Sequence, residues 1–184
     1  MYTFYDLEFD ENGETIVPIS LGVVRENLDE IYFINKVYVE RQKDPETRTC
    51  NDWVYENVLP NLYSVTPHVG QTYEVELRQW GNIFYNWLLD KEPLEEKGDS
   101  WKLVGYYADY DHVALAQLWG QMIMLPTGMP MWTRDLKQWV SDVGNPKIPI
   151  PQKHEHNALA DARWNRDVYK WLVQNYDHPA WRKK

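Results

Sequence analysis

The sequence predicts an α/β fold in which a mixed β-sheet is flanked by helices. Two observations lead to this prediction. The N-terminal part of the chain holds three β-type segments separated by short polar breaks, which is typical of an antiparallel three-strand meander. Beyond them, helical apolar periodicities alternate with strand-like runs, which adds parallel strands. The chain has 184 residues, of which 43% are hydrophobic, and this predicts one domain over residues 1–184 with a core of about residues 1–176 and a polar C-terminal tail.

The first predicted strand covers residues 2–10, whose first half is rich in aromatic and β-branched side chains. Asn12 and Gly13 follow as a hairpin-type turn. The second strand is predicted at residues 15–24 and the third at residues 31–39. Residues 41–51 are charged and are predicted to form a loop.

The helices are predicted from apolar stripes and caps. Asp52 is expected to cap a short helix that ends before Pro60. The clearest helix covers residues 72–89, with a stripe formed by Leu77, Trp80, Phe84, Trp87 and Leu88. The other predicted elements are a charged loop at 93–100, a strand at 101–107, helices at 111–119, 133–143 and 158–176, and an irregular proline-rich segment at 147–151.

The composition excludes some classes of protein. The net charge of −9 argues against broad, non-specific nucleic-acid binding, because such binding needs a basic face. It leaves open an enzyme that grips a chain end through metal ions, since each cation inverts the local field. The single cysteine, Cys50, fits a reducing cytoplasm. We expect no signal peptide and no membrane span, because the chain lacks a basic-then-apolar leader and a long apolar stretch.

Asp6 and Glu8 lie two residues apart on the first strand, so both carboxylates point to the same face. Neighbouring carboxylates repel unless a cation lies between them, and a divalent ion with oxygen ligands is the usual solution. The Asp-x-Glu pattern is weak by itself, because the chain contains three copies. Only the first copy lies inside a predicted strand. We therefore treat this pair as a candidate metal anchor.

Asp111 and Asp161 begin two predicted helices, and each lies on the apolar stripe that faces the sheet. Capping would explain an acid at a helix N-terminus, but it would not explain its place on the buried stripe. A shared metal site would explain why each acid lies on the buried stripe. His156 precedes Asp161 by five residues. A histidine there is more often a cap or a surface residue, although beside a metal-bound phosphate it is the natural general base.

Together these residues resemble the DEDDh 3′–5′ exonucleases, which have an RNase H-like fold. The motifs that carry the resemblance are, in order, Asp6-Leu7-Glu8 on the first strand, Tyr110-Asp111, and the His-x4-Asp pattern from His156 to Asp161. The resemblance spans nearly the whole chain.

Further segments are similar to the small polyadenylate-specific exoribonucleases of the RNase AS type. These segments are FYDLEF at 4–9, ISLGVV at 19–24, YDHVAL at 110–115 with QLWG at 117–120, and TRDL at 133–136. That subfamily acts on RNA and is dimeric, so the resemblance implies a single-stranded RNA 3′ end as substrate and a homodimer.

One position departs from the family pattern. Many DEDDh enzymes carry asparagine four residues before the second-motif aspartate, where this chain has Tyr107. The departure puts one ribose or scaffold contact in doubt, but not the metal ligands. Asp109 is an additional acid near Asp111. We assign the family role to Asp111, because it follows the aromatic Tyr110 and begins the helical stripe, and we keep Asp109 as the alternative.

The resemblance also implies a mechanism. Two Mg²⁺ or Mn²⁺ ions are expected between Asp6, Glu8, Asp111 and Asp161, with Asp6 bridging both. Glu8 and Asp161 would hold the ion that carries the attacking water, Asp111 would support the second ion, and His156 would take a proton from the water. Two cations stabilise the charge that builds on the attacking and leaving oxygens. The product would be a nucleoside 5′-monophosphate.

The terminal nucleotide needs a stacking surface and phosphate contacts. The candidates for substrate binding are Leu7, Phe9, Tyr107, Trp132 and Lys153, with Lys147 as a further lysine. Each aromatic among them is at least as often core, because ten tryptophans in one domain mostly fill volume. A solvated loop is the more common role for each lysine.

Two other functions remain open from the sequence. A DNA-directed 3′–5′ exonuclease would use the same ligands, and only a contact to the 2′-hydroxyl would distinguish it. A catalytically idle nucleic-acid-binding or protein-interaction module could share the fold. The presence of all four acids and the histidine argues against the idle module.

Overall fold

The computed structural model describes residues 1–94, 101–178 and 181. Within these residues, six β-strands form one mixed sheet flanked by six α-helices, so the predicted α/β class is confirmed. The strands are β1 (Tyr2–Glu11), β2 (Ile16–Arg25), β3 (Glu30–Asn35), β4 (Gly70–Val75), β5 (Lys102–Gly105) and β6 (Arg134–Asp135). The α-helices are α1 (Lys36–Gln42), α2 (Asp52–Asn57), α3 (Leu77–Lys91), α4 (Asp109–Ala116), α5 (Leu136–Asp142) and α6 (Ala158–Asn175). Short 3₁₀ helices lie at Leu59–Asn61, Gln117–Trp119 and Met122–Met124.

The strand order across the sheet is β4-β3-β2-β1-β5-β6. β2 pairs antiparallel with both β1 and β3, which confirms the predicted meander. β4 joins β3, β5 joins β1 and β6 joins β5, each in parallel. β1 therefore lies inside the sheet, where helices cover both of its faces.

The third strand is shorter than predicted. β3 ends at Asn35, and residues 36–42 form α1 instead of continuing the strand or entering a loop. The side chain of Asn35 accepts a hydrogen bond from the Tyr38 N–H (3.2 Å) and so caps the helix. The β-branched residues Val37 and Val39 favoured a strand, but this cap and the burial of Tyr38 and Val39 outweigh that local preference.

The long central helix was predicted to begin too early. Residues 70–75 form β4 at the edge of the sheet, and α3 starts only at Leu77. Glu76 forms a capping box with Gln79, which starts the helix there. Tyr73 of β4 stacks on Phe33 of β3, with ring centroids 5.6 Å apart, and this packing stabilises the strand.

Other boundaries differ by smaller amounts. The helix predicted at 133–143 is preceded by the short strand β6, whose Asp135 caps α5. The helix predicted at 111–119 begins at Asp109 and becomes 3₁₀ after Ala116. Asn51, not Asp52, caps α2, by accepting a hydrogen bond from the Val54 N–H (2.9 Å).

Two predicted segments lie partly outside the described residues. These are the loop at 93–100, beyond Leu94, and the polar tail after residue 176, of which residues 177, 178 and 181 are described. Trp181 is buried and stacks on Trp139, with ring centroids 4.7 Å apart.

Apolar layers cover both faces of the sheet. Since side chains alternate along a strand, Tyr5 and Leu7 of β1 point to one face, where they belong to the same core cluster as Phe84 of α3. Phe4 points to the opposite face and packs in the cluster that contains Val168 of α6. None of the described helices combines the length and the apolar character that a bilayer-spanning helix needs.

Candidate metal centre

The candidate site begins on β1, where Asp6 and Glu8 point to the face that α6 covers. Asp6 is paired with Gly22 of β2, and Glu8 with Ser20. Leu7, between the two acids, points to the other face and is buried in the core. The alternation of a regular strand therefore brings the two carboxylates together, as the spacing predicts.

Helix α6 brings the third carboxylate to this face. Its N-terminal residue, Ala158, lies against Gly22, and a Cβ at Gly22 would overlap the Ala158 carbonyl group. The side-chain amide of Asn165 donates to the carbonyl of Tyr5 (3.1 Å), which fixes α6 along β1. Asp161 lies in the first turn of the helix and is buried.

Asp6, Glu8 and Asp161 each offer a carboxylate oxygen to a common point, and these three oxygens lie within 4.8 Å of one another. Glu8 and Asp161 are buried, and Asp6 is half-buried. Three oxygen donors at this separation fit a hard divalent cation such as Mg²⁺ or Mn²⁺.

The electrostatics of the cluster favour a cation. Burial, followed by repulsion from Asp111, Asp161 and Glu8, raises the pKa of Asp6 well above its usual value. Burial and the charges of Asp161 and Asp111 raise the pKa of Glu8 to about 8. Burial also raises the pKa of Asp161 to about 6, although hydrogen bonds from Gln152 and His156 oppose the rise. A bound cation would relieve this repulsion.

Asp111 is not one of the three clustered carboxylates, but it lies near enough for its charge to raise the pKa of Asp6 and of Glu8. β5 pairs with β1 only as far as Phe4, so the edge of β1 is open at Leu7, and the Leu7 N–H donates to Asp111 Oδ1 (2.7 Å). Burial raises the pKa of Asp111 to about 6. Asp109, the alternative in the same helix turn, is exposed.

His156 contacts the cluster through its backbone. Its N–H donates to Asp161 Oδ2 (3.1 Å), and its φ of 65° lies in the left-handed region. The side chain of Gln152 donates to the other oxygen, Asp161 Oδ1 (2.7 Å). The imidazole of His156 lies edge-on to the indole of Trp53, with ring centroids 4.9 Å apart.

The candidate substrate-binding residues have varied surroundings. Phe9 is half-buried and stacks on the exposed ring of Tyr110, with ring centroids 6.3 Å apart. Tyr107 is exposed and lies near the Lys137 ammonium, and Trp132 is exposed beneath the Arg134 guanidinium. Lys153 and Lys147 are exposed.

Three residues of the site were missed in the sequence. Trp53 lies in a short predicted helix, and no pattern in the sequence indicated that its ring contacts His156. Gln152 lies in the loop before α6, where its hydrogen bond to Asp161 has no sequence signal. Tyr110 was named only as the aromatic of the second motif, although its exposed ring extends the surface of Phe9.

Comparisons with known proteins define the class of this protein as a hydrolytic nuclease. The model of the 3'-5' exoribonuclease Rv2179c-like domain matches residues 1–173. Two relatives from strains of Mycobacterium tuberculosis are named 3'-5' exoribonuclease Rv2179c and 3'-5' exoribonuclease MT2234.1. Each is 37% identical over 166 residues, which are 89% of this chain and 88% of the relative. The chain therefore belongs to the Rv2179c-like 3′–5′ exoribonuclease family.

Among solved structures, a chain from "Structure of yeast NOT1 MIF4G domain co-crystallized with CAF1" matches with a TM-score of 0.45 and 12% identity. The match covers 95% of this chain and 81% of that chain. This similarity is too low to carry an argument about the site.

Proposed function

We propose that this protein is a 3′–5′ exoribonuclease of the DEDDh type, which hydrolyses single-stranded RNA from its 3′ end to nucleoside 5′-monophosphates. The observation that carries the proposal is the cluster of Asp6, Glu8 and Asp161, whose carboxylate oxygens lie within 4.8 Å of one another. The backbone N–H of His156 donates a hydrogen bond to Asp161 at the border of this cluster. Membership of a family described as exoribonucleases supports the choice of RNA over DNA.

Two Mg²⁺ or Mn²⁺ ions are the cofactors that this site fits best. Asp6, Glu8 and Asp161 would hold them, and Asp111 would contribute from the side of α4. The donor set supports this choice, because every proposed ligand is a carboxylate oxygen. Burial, with repulsion from neighbouring acids, also raises the pKa of each of the four acids. When bound, two such ions stabilise the negative charge on the attacking and leaving oxygens of the phosphodiester.

His156 is the proposed general base. Its imidazole would accept the proton of the attacking water, a role that typically contributes 10²- to 10⁴-fold to the rate. Asp161 accepts hydrogen bonds from the His156 N–H and the Gln152 side-chain amide, and these bonds fix the loop that carries His156 to α6. The base and a metal ligand are therefore held in one unit.

The stacked pair Phe9 and Tyr110 is the proposed surface for the terminal base. Stacking on an aromatic ring is worth about 1–3 kcal/mol per base and tolerates any base. The stacking surface therefore gives no preference for one base. We propose a preference for poly(A) because segments such as TRDL at 133–136 are similar to the polyadenylate-specific exoribonucleases.

We also propose that the protein is a homodimer in the cytoplasm. The exposed apolar side chains of Met122, Ile123 and Met124, with Met131 and Trp132 further along the same connection, support a protein interface. Ile123→Asp is expected to give a monomer in sedimentation velocity. An unchanged mass would exclude this connection from the interface. The single cysteine, Cys50, is buried and fits a reducing compartment.

A degradation time course tests the proposed activity. Purified protein is given 5′-labelled single-stranded oligo(A), oligo(U) and the DNA counterparts, with Mg²⁺, with Mn²⁺ or with EDTA. We expect stepwise shortening of RNA from the 3′ end that EDTA abolishes and that Asp6→Asn lacks. Equal loss of the DNA would contradict the RNA specificity. Intact oligomers that still bind the folded protein would contradict the nuclease and favour an idle module.

A further inference from the structure

Trp53 makes an unusual contact for a tryptophan. Trp53 is 53% exposed, so burial in the core does not explain its position. Within the described residues, its ring contact is with the imidazole of His156, at 4.9 Å between centroids and an interplanar angle of 79°. An exposed indole is therefore packed edge-on against the histidine that borders the acidic cluster.

The imidazole of His156 is not fixed by hydrogen bonds of its own within the described residues. The backbone N–H is bonded to Asp161, which fixes the main chain but leaves rotation about the side-chain bonds free. In the part of the chain that the structure describes, the two imidazole nitrogens have no hydrogen-bond partner, although the imidazole interacts electrostatically with Asp161. Trp53 is the aromatic ring that contacts the imidazole. Trp53 therefore packs against the imidazole on one side and restricts its orientation there.

The position of Trp53 is itself fixed relative to β1. Asn51 caps α2 and also donates from its side chain to Asp10 Oδ1 (3.1 Å). The hydroxyl of Tyr38 donates to the other oxygen, Asp10 Oδ2 (2.9 Å). Asp10 lies on the strand that carries Asp6 and Glu8. The helix that presents Trp53 is thus attached to the same strand as two of the carboxylates.

We propose that Trp53 is a positioning residue, which holds the imidazole of His156 in the orientation needed to accept a proton from the attacking water. This inference rests on the proposed function, in which His156 is the general base. A general base works only within hydrogen-bond reach of the proton it takes, and a displacement of about 1 Å can reduce a rate by about 10²-fold. Without Trp53 the imidazole would sample several rotamers, of which few are productive.

The contact is tested in solution by NMR of the histidine ring protons. His156 is assigned from the signal that His156→Ala removes. We expect the His156 signals to move in Trp53→Ala, because the ring current of the indole is lost, and to stay nearer their wild-type positions in Trp53→Phe. Tyr55→Ala, an exposed aromatic of the same helix, is the matched control and should leave them in place. Unmoved His156 signals in Trp53→Ala would overturn the proposal.

The positioning role is tested by kinetics on oligo(A) with Mg²⁺. We expect Trp53→Ala to lower kcat by about 10- to 100-fold with less than about a threefold change in KM, and Trp53→Phe to restore most of kcat. In the His156→Ala background, Trp53→Ala should have no further effect on kcat, because the base it would position is gone. Tyr55→Ala should keep the wild-type kcat.

Different failures point to different conclusions. A raised KM that persists in the His156→Ala background would overturn the positioning role and make Trp53 a surface for the substrate base. A wild-type rate in Trp53→Ala, with a slow His156→Ala, would overturn this inference alone. An inactive wild-type protein, or a wild-type rate in His156→Ala, would overturn the proposed base and this inference together.

Discussion

Gly22 of β2 lies directly against Ala158, the first residue of α6, and a Cβ at Gly22 would overlap the Ala158 carbonyl group. Gly22 is also the cross-strand partner of Asp6. The missing side chain therefore lets the N-terminus of α6 approach the sheet closely. Because of this approach, Asp161 comes within reach of the carboxylates on β1.

We expect Gly22→Ala to push α6 away from the sheet and separate Asp161 from Asp6. Overpacking of this kind typically lowers the free energy of unfolding by about 1–3 kcal/mol. RNA hydrolysis should fall by about 10-fold or more, because the ligand geometry is lost. Urea unfolding and the rate on oligo(A) measure the two effects.

Gly13→Ala is the control for a simple loss of stability. Gly13 has a φ of 85° in an open turn, so a side chain there strains the backbone by about 1–2 kcal/mol without contacting the site. We expect this variant to be less stable but fully active. Equal activity of Gly22→Ala and Gly13→Ala would show that close packing at Gly22 does not position Asp161.

Asp111 and Asp109 form a matched pair for testing the fourth acid. Both lie in the first turn of α4, but Asp111 is buried and accepts the Leu7 N–H, whereas Asp109 is exposed. We expect Asp111→Asn to reduce hydrolysis by about 100-fold or more and Asp109→Asn to change it by less than about threefold. Rates on oligo(A) over a Mg²⁺ titration test this. The opposite ranking would transfer the role to Asp109.

The positions of the four acids could be predicted from the sequence because they depend on the local geometry of strands and helices. The spacing of Asp6 and Glu8 on a strand dictates a shared face, and the structure has that face. The acids at the starts of two helical stripes, Asp111 and Asp161, are both buried as expected. These predictions required only the strand and helix periods, which are properties of the chain itself.

Features that depend on tertiary contacts were not readable. The edge strand β4 was predicted as helix, because its pairing with β3 and the stacking of Tyr73 on Phe33 are not visible in a linear pattern. The contact of Trp53 with His156 joins segments that are distant in sequence. The resemblance of residues 133–136 to a family segment gave no role for Asp135. In the structure Asp135 accepts from the N–H groups of Lys137 and Gln138, and so caps α5.

The pH dependence of stability is expected to report the charge of the acidic cluster formed by Asp6, Glu8 and Asp161. The pKa of Glu8 is raised from 4.5 to about 8, so between these values the folded protein holds a proton that the unfolded chain has lost. The free energy of unfolding therefore falls as pH rises through this window, by up to about 1.4 kcal/mol per pH unit for one such group. We expect the metal-free protein to lose stability from pH 4.5 to pH 8, as measured by urea unfolding in EDTA.

Divalent ions and one substitution provide the controls for this slope. Mg²⁺ should restore stability most at the high-pH end, because it binds the ionised carboxylates. Glu8→Gln should flatten the slope, whereas Glu14→Gln, at an exposed position in the hairpin turn, should keep it. A metal-free wild type with the same slope as Glu8→Gln would contradict a raised pKa at Glu8.

The ion pair between Arg163 of α6 and Glu30 of β3 is expected to hold α6 on the sheet. Glu30 is 2% exposed and accepts two hydrogen bonds from Arg163, at 2.8 and 2.7 Å. Burial acts to raise the pKa of Glu30, but hydrogen bonds from Arg163 and the His68 N–H and the charge of Arg163 outweigh it, so the pKa is lowered. The pair therefore contributes stability above the unfolded pKa of 4.5, and that stability is lost as pH falls through the folded value.

We expect Arg163→Met to lower the free energy of unfolding at pH 7 by about 3–5 kcal/mol, because the buried Glu30 carboxylate loses its guanidinium partner and keeps the hydrogen bond from the His68 N–H. Arg166→Met is the control on the same helix. Its partner Asp167 is half-exposed, so this variant should change stability by less than about 1 kcal/mol. Adding Glu30→Gln to Arg163→Met should recover part of the loss, since the buried charge is removed. Equal effects of the two arginine variants in urea unfolding would show that the Glu30 pair does not anchor α6.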